Sequence, residues 1–169
     1  MDSTPTAASS SDRVLAIRHA LETVSDPEIP PLSIVDLGMV TDVHVAPGKA
    51  VVSITPTFAG CPALDMIKQA IVDAVTEAGE PAVEVRLVFD PPWTTNRLTE
   101  NGRKILKEFG IAPPGKRCSE AEYPNVDKTP CPFCDSSNTE VESIFGPTLC
   151  RSIHYCHDCL QSFEHFKPV

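Results

Sequence analysis

The fold is decided by the stretch AVVSITPTFAGCPALDMIKQAI, residues 50–71. Residues 50–54 form an apolar, strand-like run, and from Ala63 onward apolar side chains recur at the spacing of a helix. Cys61 lies between the two, where unpaired backbone N–H groups and the helix dipole favour negative charge. This position predicts a stabilised, functional thiolate at Cys61; the alternative is a half-buried cysteine that caps a helix.

Outward from this stretch, the same periodicities predict a small α+β domain. Its elements are a helix from Asp12, strands over 39–45 and 50–55, a helix from Pro62, a strand over 82–89 and a helix ending at Gly110. The proline-rich segment 26–38 is predicted to be an ordered loop. The order helix, strand, strand, helix, strand, helix predicts a short sheet that helices cover on one face.

Composition marks the limits of this domain. Residues 1–11 are small and polar, which predicts a disordered N-terminus, and the α+β domain is assigned to residues 12–111. Residues 112–130 contain four prolines without any periodicity and are interpreted as a linker. The remaining segment, 131–169, is rich in cysteine.

Charge and apolar patterning limit the classes of partner. The net charge is −9, from 14 basic and 23 acidic side chains, and no block of lysine or arginine interrupts it, so nucleic acid is not expected as a partner. No secretory pattern and no apolar run of about 20 residues occurs, which predicts a cytoplasmic protein without a membrane segment. In the cytoplasm, the seven cysteines suit metal binding or thiol chemistry better than structural disulfides.

The C-terminal segment carries two C-x-x-C pairs, Cys131 with Cys134 and Cys156 with Cys159. Four thiolates at this spacing can close a tetrahedral site on Zn²⁺, and a segment this short needs such a metal in order to fold. The pattern therefore predicts a zinc ribbon with a structural Zn²⁺ held by these four cysteines. The competing ligands nearby are Cys150, His154 and His157.

Iron is the alternative metal for the same four thiolates, because rubredoxin-type centres use them as well. Rubredoxin-like turns normally carry glycine after the second cysteine, whereas Asp135 and Leu160 stand there in this chain. Cys150 is interpreted as a core residue, a docking-surface residue or a transient ligand. No role is assigned to Cys118.

Several motifs together resemble the metal-sulfur cluster biosynthesis family, which includes SufT-like proteins. They are Asp26-Pro-Glu28-Ile-Pro30, Leu37-Gly38, Thr55 with Gly60-Cys61-Pro62, and Asp90-Pro-Pro-Trp93. The tail motifs narrow the resemblance to the D subunits of bacterial ring-1,2-phenylacetyl-CoA epoxidases, over residues 12–169. These tail motifs are Phe145-Gly-Pro-Thr148 and Phe163-Glu-His-Phe-Lys-Pro168.

The resemblance implies an accessory protein of phenylacetate degradation that assists assembly or maintenance of a metal centre. The implied client is the [2Fe–2S] cluster of the epoxidase reductase subunit, with other epoxidase subunits as further possible partners and a homo-oligomer left open. The alternative is an iron-binding electron-transfer subunit of the same oxygenase. A catalytic activity of its own is not predicted, because the chain carries neither a phosphate-binding loop nor paired Glu-x-x-His motifs.

The resemblance also implies a set of site residues. The acidic position of the family corresponds to Asp26 or Glu28, its threonine to Thr55 and its cysteine to Cys61, with transient iron or an iron–sulfur cluster as the implied cargo. Soft thiolate and hard carboxylate ligands together suit iron. The alternatives are that Asp26 starts a turn, that Thr55 ends a strand, and that Trp93 packs in the core rather than covering the Cys61 loop or a docking surface.

Overall fold

The computed structural model describes residues 9–58, 60–115 and 129–168. Its helices are α1 (Ser10–Leu21), α2 (Leu64–Glu77) and α3 (Glu100–Glu108), with a 3₁₀ turn at Thr95–Arg97. Its strands are β1 (Ser25–Asp26), β2 (Ile29–Ser33), β3 (Val40–Ala46), β4 (Lys49–Ile54), β5 (Val83–Leu87), β6 (Ile111–Ala112), β7 (Thr139–Ser143), β8 (Arg151–Cys156) and β9 (Gln161–Phe166). The predicted α+β class with a C-terminal ribbon is confirmed. Residues 1–8 of the predicted disordered N-terminus, and 116–128 of the predicted linker with Cys118, lie outside the described residues.

The main sheet has the order β3-β4-β5. Strands β3 and β4 form an antiparallel hairpin, whereas β5 pairs with β4 in parallel, which requires a crossover that α2 supplies. The buried residues Val52 and Ile54 of β4 belong to the same apolar core as Ile67, Ile71 and Val75 of α2. The helical periodicity that predicts α2 is thus the spacing of its buried face.

Helix α1, before the β3–β4 hairpin, and helix α2, after it, begin at residues other than those predicted. Ser9, not Asp12, is the N-cap of α1, because its hydroxyl accepts the Asp12 N–H at 3.2 Å. The Asp12 carboxylate in turn accepts the Ser9 N–H at 3.3 Å, which completes a capping box and makes residues 9–11 ordered. Helix α2 begins at Leu64, two residues after Pro62, and the Leu64 N–H closes a turn onto the Cys61 carbonyl at 3.3 Å.

The segment 26–38, predicted to be a loop, contains part of a two-stranded antiparallel sheet formed by β1 and β2. The Asp26 carboxylate closes the connecting turn by accepting the N–H groups of Glu28 at 2.8 Å and Ile29 at 3.1 Å. The two prolines in β2 hide its strand character in the sequence. They are tolerated because β2 has β1 as its one partner strand in this two-stranded sheet, so one of its edges makes no ladder bonds there.

The ribbon sheet has the order β6-β9-β8-β7 and reaches into the N-terminal part of the chain. Strand β6 follows α3 and pairs in parallel with β9, with Ile111 opposite Glu164 and Ala112 opposite His165. Ala112, predicted to begin the linker, is therefore part of a strand. The ribbon is attached to the first domain by a shared sheet as well as by the chain.

Apolar contacts join the two parts at Trp93. Its indole N–H donates to the Leu37 carbonyl at 2.8 Å, and its ring lies 5.9 Å from that of Phe166 in β9. Both aromatic residues belong to the main core. Of the roles considered for Trp93, the structure shows core packing.

We expect Gly38→Ala to destabilise the protein more than Gly48→Ala. Both glycines have positive φ, +67° and +80°. Alanine in this backbone conformation lowers the free energy of unfolding by about 1–2 kcal/mol. A side chain at Gly38 would also overlap the backbone carbonyl of Arg97, whereas nothing lies within 4 Å at Gly48. In Gly38→Ala, this overlap lowers the free energy of unfolding by a further ~1–3 kcal/mol. Urea unfolding of the zinc-loaded variants measures both losses, and equal losses would contradict the close approach at Gly38.

Candidate functional site

The four tail cysteines come together at one end of the ribbon sheet. The Sγ atoms of Cys131, Cys134, Cys156 and Cys159 all lie within 4.8 Å of one another. Those of Cys131 and Cys159 are 3.6 Å apart, as are those of Cys134 and Cys156. A tetrahedral zinc ion with Zn–S bonds of about 2.3 Å requires S–S edges of about 3.8 Å. The cluster fits structural Zn²⁺.

The two cysteine turns have the same backbone form. Asp135 donates its N–H to the Cys131 carbonyl at 3.0 Å, and Leu160 donates to that of Cys156 at 2.9 Å. Both Asp135 and Leu160 adopt a φ of +59°, the left-handed conformation that glycine usually occupies. The missing glycines therefore do not change the geometry of the turns, and the four-thiolate geometry alone suits zinc and iron equally.

Without a metal, the thiols of the cluster have very different pKa values. The backbone N–H groups of Cys159 and Asp158 lower the pKa of Cys156 to about 6. Burial, together with the neighbouring sulfurs, raises the pKa of Cys159 to about 12. Because a metal binds thiolates and not thiols, ion binding has to displace protons from this cluster.

The competing ligands considered for the tail lie outside the cluster. His154 is fully buried, with its ring stacked on Phe163 at 5.4 Å and its Nε2 3.0 Å from Ser152 Oγ. His157 extends to Glu140, at 3.5 Å between Nε2 and the carboxylate. Cys150, the third competitor, lines a cavity beside Cys61.

Cys61 lies in a turn between β4 and α2 and is half-buried. It lines a cavity of about 240 Å³ between the N-terminal domain and the ribbon. The wall on the domain side includes Glu28, Thr57, Phe58 and Pro62, and the ribbon contributes residues 146–150. The ribbon thus closes one side of the Cys61 site.

The environment of Cys61 opposes the predicted thiolate. Burial raises the pKa of the Cys61 thiol, and the negative charges of Asp26, Cys150 and Glu28 raise it further. The N–H of Ala63, at the start of α2, lowers the pKa but is outweighed by burial. The prediction of a stabilised thiolate is therefore wrong for the protein without a bound cation, and Cys61 is a thiol at neutral pH.

The predicted acidic residues flank this thiol, and the threonine does not line its cavity. Asp26 closes the β1–β2 turn, which is the alternative role predicted for it. Its negative charge also raises the pKa of Cys61. Glu28 lines the cavity and is partly exposed. Thr55 is buried at the end of β4, where its N–H donates to the Met39 carbonyl at 2.8 Å; its hydroxyl has no hydrogen-bond partner among the described residues.

Sequence reasoning missed the contributions of Cys150 and Arg151 to this site. Cys150 Sγ is 3.1 Å from the Thr148 hydroxyl, and Cys150 also packs against the main core. Arg151, 6% exposed, forms ion pairs with Glu164 at 2.7 Å and with Glu28 at 3.5 Å. No spacing rule connects these residues to Cys61, because they lie far from it in the sequence.

Comparison with known proteins assigns both parts of the chain. Residues 15–87 match the model of the iron-sulfur cluster assembly protein family, and residues 116–167 match that of the PaaD zinc beta ribbon domain. A protein of Escherichia coli K12, described as the putative D subunit of 1,2-phenylacetyl-CoA epoxidase, is 41% identical over 88% of this chain and 89% of its own length. The chain belongs to the epoxidase D-subunit family. The resemblance seen in the motifs is confirmed.

Two other similarities concern the first domain of this D-subunit family member. An Fe-S protein maturation auxiliary factor of Porphyromonas gingivalis is 38% identical over 56% of this chain and 89% of its own length. A crystal structure of a domain of unknown function, DUF59, from Bacillus anthracis matches with a TM-score of 0.54 and 32% identity, over 60% of this chain and 97% of that one. In the described part of the chain, no helix has the length and apolar character needed to cross a bilayer.

We expect Cys61 to be alkylated slowly by iodoacetamide at neutral pH, because its raised pKa leaves little thiolate. The double substitution of Asp26→Asn and Glu28→Gln removes negative charge, lowers the pKa of Cys61 and should speed the reaction. Asparagine keeps the oxygen that closes the β1–β2 turn. Peptide mapping by mass spectrometry gives the rates, and a double variant no faster than wild type would contradict the electrostatic cause.

Zinc retention by the ribbon should fall as the pH falls, since protons compete with the metal for the four thiolates. Because the pKa of Cys159 is raised to about 12 and that of Cys134 is raised as well, both thiols are protonated near neutral pH, and binding releases more than one proton. The apparent affinity should rise more than about tenfold per pH unit between about pH 6 and pH 8. Competition with a chelator, corrected for its own protonation, measures the slope. A zinc affinity that does not change with pH would contradict a four-thiolate site. A coloured protein with one iron per chain would identify the electron-transfer alternative.

Proposed function

We propose that this protein is an accessory factor that helps to assemble or maintain an iron–sulfur centre of the phenylacetyl-CoA epoxidase system of phenylacetate degradation. The proposed client is the [2Fe–2S] cluster of the reductase subunit. The observation that carries the proposal is the Cys61 cavity, where a half-buried thiol lies beside carboxylates, separate from the four cysteines of the ribbon.

The charges around Cys61 suit a cargo that binds and leaves. Asp26 and Glu28 disfavour the thiolate while the cavity holds no cation, and an entering cation reverses that balance by attracting the same negative charges. Iron is a suitable cation, because it accepts a soft thiolate together with a hard carboxylate oxygen. Cys61 would therefore exchange its proton for the metal on binding and recover it on transfer.

The ribbon has a structural role in this proposal. Zn²⁺ held by Cys131, Cys134, Cys156 and Cys159 would supply the folding free energy of a segment too small to fold alone. The tip of the folded ribbon presents exposed apolar side chains near the cavity, Ile144, Phe145 and Leu149, which are 60%, 70% and 59% exposed. We assign contact with the client protein to this tip, in the cytoplasm, where the thiols stay reduced.

The comparisons support an accessory role over catalysis. The epoxidase D-subunit family connects the chain to phenylacetyl-CoA epoxidase, and the similar Porphyromonas gingivalis protein is described as an auxiliary factor of Fe-S protein maturation. The first domain matches the iron-sulfur cluster assembly protein family. Cys61 is accordingly proposed to handle metal or cluster and not to act on phenylacetyl-CoA.

Co-expression with the reductase tests the proposal. We expect Cys61→Ala to fold and to retain ribbon zinc, because Cys61 is not one of the four clustered ligands. The reductase purified from these cells should contain less iron and acid-labile sulfide, and less visible absorption per flavin, than the reductase produced with wild type.

Leu15→Ala, at an exposed position of α1 that does not line the cavity, is the control for a substitution elsewhere and should leave the reductase loaded. A reductase fully loaded in the presence of Cys61→Ala would refute the proposed function. A loss caused equally by Leu15→Ala would show that the effect is not specific to the cavity.

A further inference from the structure

We infer that Asp158 is a positioning residue of the four-cysteine site. Its carboxylate joins the two cysteine turns of the ribbon and so arranges the four thiols for a tetrahedral metal ion before the ion binds. The two C-x-x-C pairs identify the ligands, but their spacing does not explain how two turns that lie far apart in the sequence are held side by side. This inference concerns the ribbon and does not depend on the function proposed for Cys61.

Asp158 lies in the second cysteine turn, and its side chain reaches the residues that follow the first turn. Its Oδ2 accepts a hydrogen bond from the Ser136 hydroxyl at 2.5 Å, and its Oδ1 accepts one from the side-chain amide of Asn138 at 2.8 Å. Each carboxylate oxygen thus has a partner of its own. Both partners directly follow the pair formed by Cys131 and Cys134, so one side chain bridges the two halves of the metal site.

Ser136 and Asn138 connect this carboxylate to the backbone of both turns. The Ser136 carbonyl accepts the Cys131 N–H at 2.9 Å. The Asn138 N–H donates to the Ser136 hydroxyl at 3.0 Å, and the Asn138 carbonyl accepts the His157 N–H at 2.9 Å. Asp158 is therefore the centre of a hydrogen-bond network that extends from a metal ligand in the first turn to the backbone of the second.

Electrostatics and positioning predict opposite effects for this carboxylate. When a divalent metal replaces the thiol protons, the site becomes negatively charged, because four thiolates carry more charge than the ion balances. By Coulomb repulsion alone, a neighbouring carboxylate would weaken metal binding. The hydrogen-bond network has the opposite effect, since turns that are already joined lose less conformational freedom when the metal binds. The sign of the change on removing Asp158 therefore distinguishes the two effects.

Competition for zinc between the full-length protein and a chelator, at a fixed pH, tests the role of Asp158. We expect Asp158→Ala to weaken zinc binding about 10–100-fold, which is the usual cost of losing a group that orients metal ligands. Loss of charge alone would tighten binding. Asp158→Asn should recover part of the affinity, because the asparagine oxygen still accepts a hydrogen bond. The absorption spectrum of the Co²⁺-substituted variants shows whether four thiolates still bind the metal.

Glu140→Ala is the matched control, because it also removes a carboxylate beside the second turn. Glu140 lies on β7 and pairs with His157 at 3.5 Å, and in the described part of the chain it does not join the network of Ser136 and Asn138. This variant should bind zinc like wild type.

The partner residues provide a second measurement that does not require Asp158→Ala to fold well. Ser136→Ala and Asn138→Ala should each weaken zinc binding, and adding either to Asp158→Ala should weaken it little further, because the shared hydrogen bond is already lost. The inference is overturned if Asp158→Ala or both partner variants bind zinc as tightly as wild type. It is also overturned if Glu140→Ala weakens binding as much as Asp158→Ala does.

Discussion

The arrangement of the N-terminal domain and the ribbon depends on the ion pairs of the buried Arg151 guanidinium. It pairs with Glu164 on the neighbouring ribbon strand and with Glu28 in a turn of the N-terminal domain. A buried charge that loses a partner is destabilising, and because Glu164 belongs to the ribbon itself, the ion pair with Glu28 is the one that holds the ribbon against the N-terminal domain. The aromatic contact of Trp93 with Phe166 and the parallel pairing of β6 with β9 supply the apolar and backbone parts of the same interface.

That interface separates two kinds of cysteine chemistry within one small protein. The four clustered cysteines can supply all four ligands of a tetrahedral metal ion, which suits a permanent structural ion. Cys61 is instead half-buried on the wall of a cavity, where burial first, and neighbouring negative charges second, raise the pKa of its thiol. The four clustered cysteines and Cys61 are the same residue type, and their surroundings distinguish the proposed structural zinc ligands from the thiol proposed to exchange a metal.

The parts of this molecule that could be predicted from the sequence are those set by local spacing. Helix α2 follows from its apolar period, and the metal cluster from two C-x-x-C pairs, because each depends on residues close in the chain. The start of α1 could also have been found, since Ser9 and Asp12 have the spacing of a capping box.

The parts that could not be predicted depend on contacts between distant residues. The helix start next to Cys61 indicates only that nearby N–H groups lower the pKa of its thiol, whereas burial, which local spacing does not reveal, outweighs them, and the distant carboxylates raise the pKa further. Cys150 reaches the same cavity, and Arg151 reaches Glu28 on its wall, only through the docking of the ribbon, which no periodicity in the sequence predicts. Strand β2 was obscured because its consecutive prolines are typical of loops.

One wall of the Cys61 cavity has a thermodynamic consequence. Residues 146–150 belong to the ribbon, and metal bound at a structural four-cysteine site contributes folding free energy to the segment that holds it. Zinc at the four cysteines and any ligand in the cavity therefore favour the same folded, docked state. By linkage, each must tighten the binding of the other by the same factor, so that under the proposed function zinc supply would set how firmly Cys61 retains its cargo.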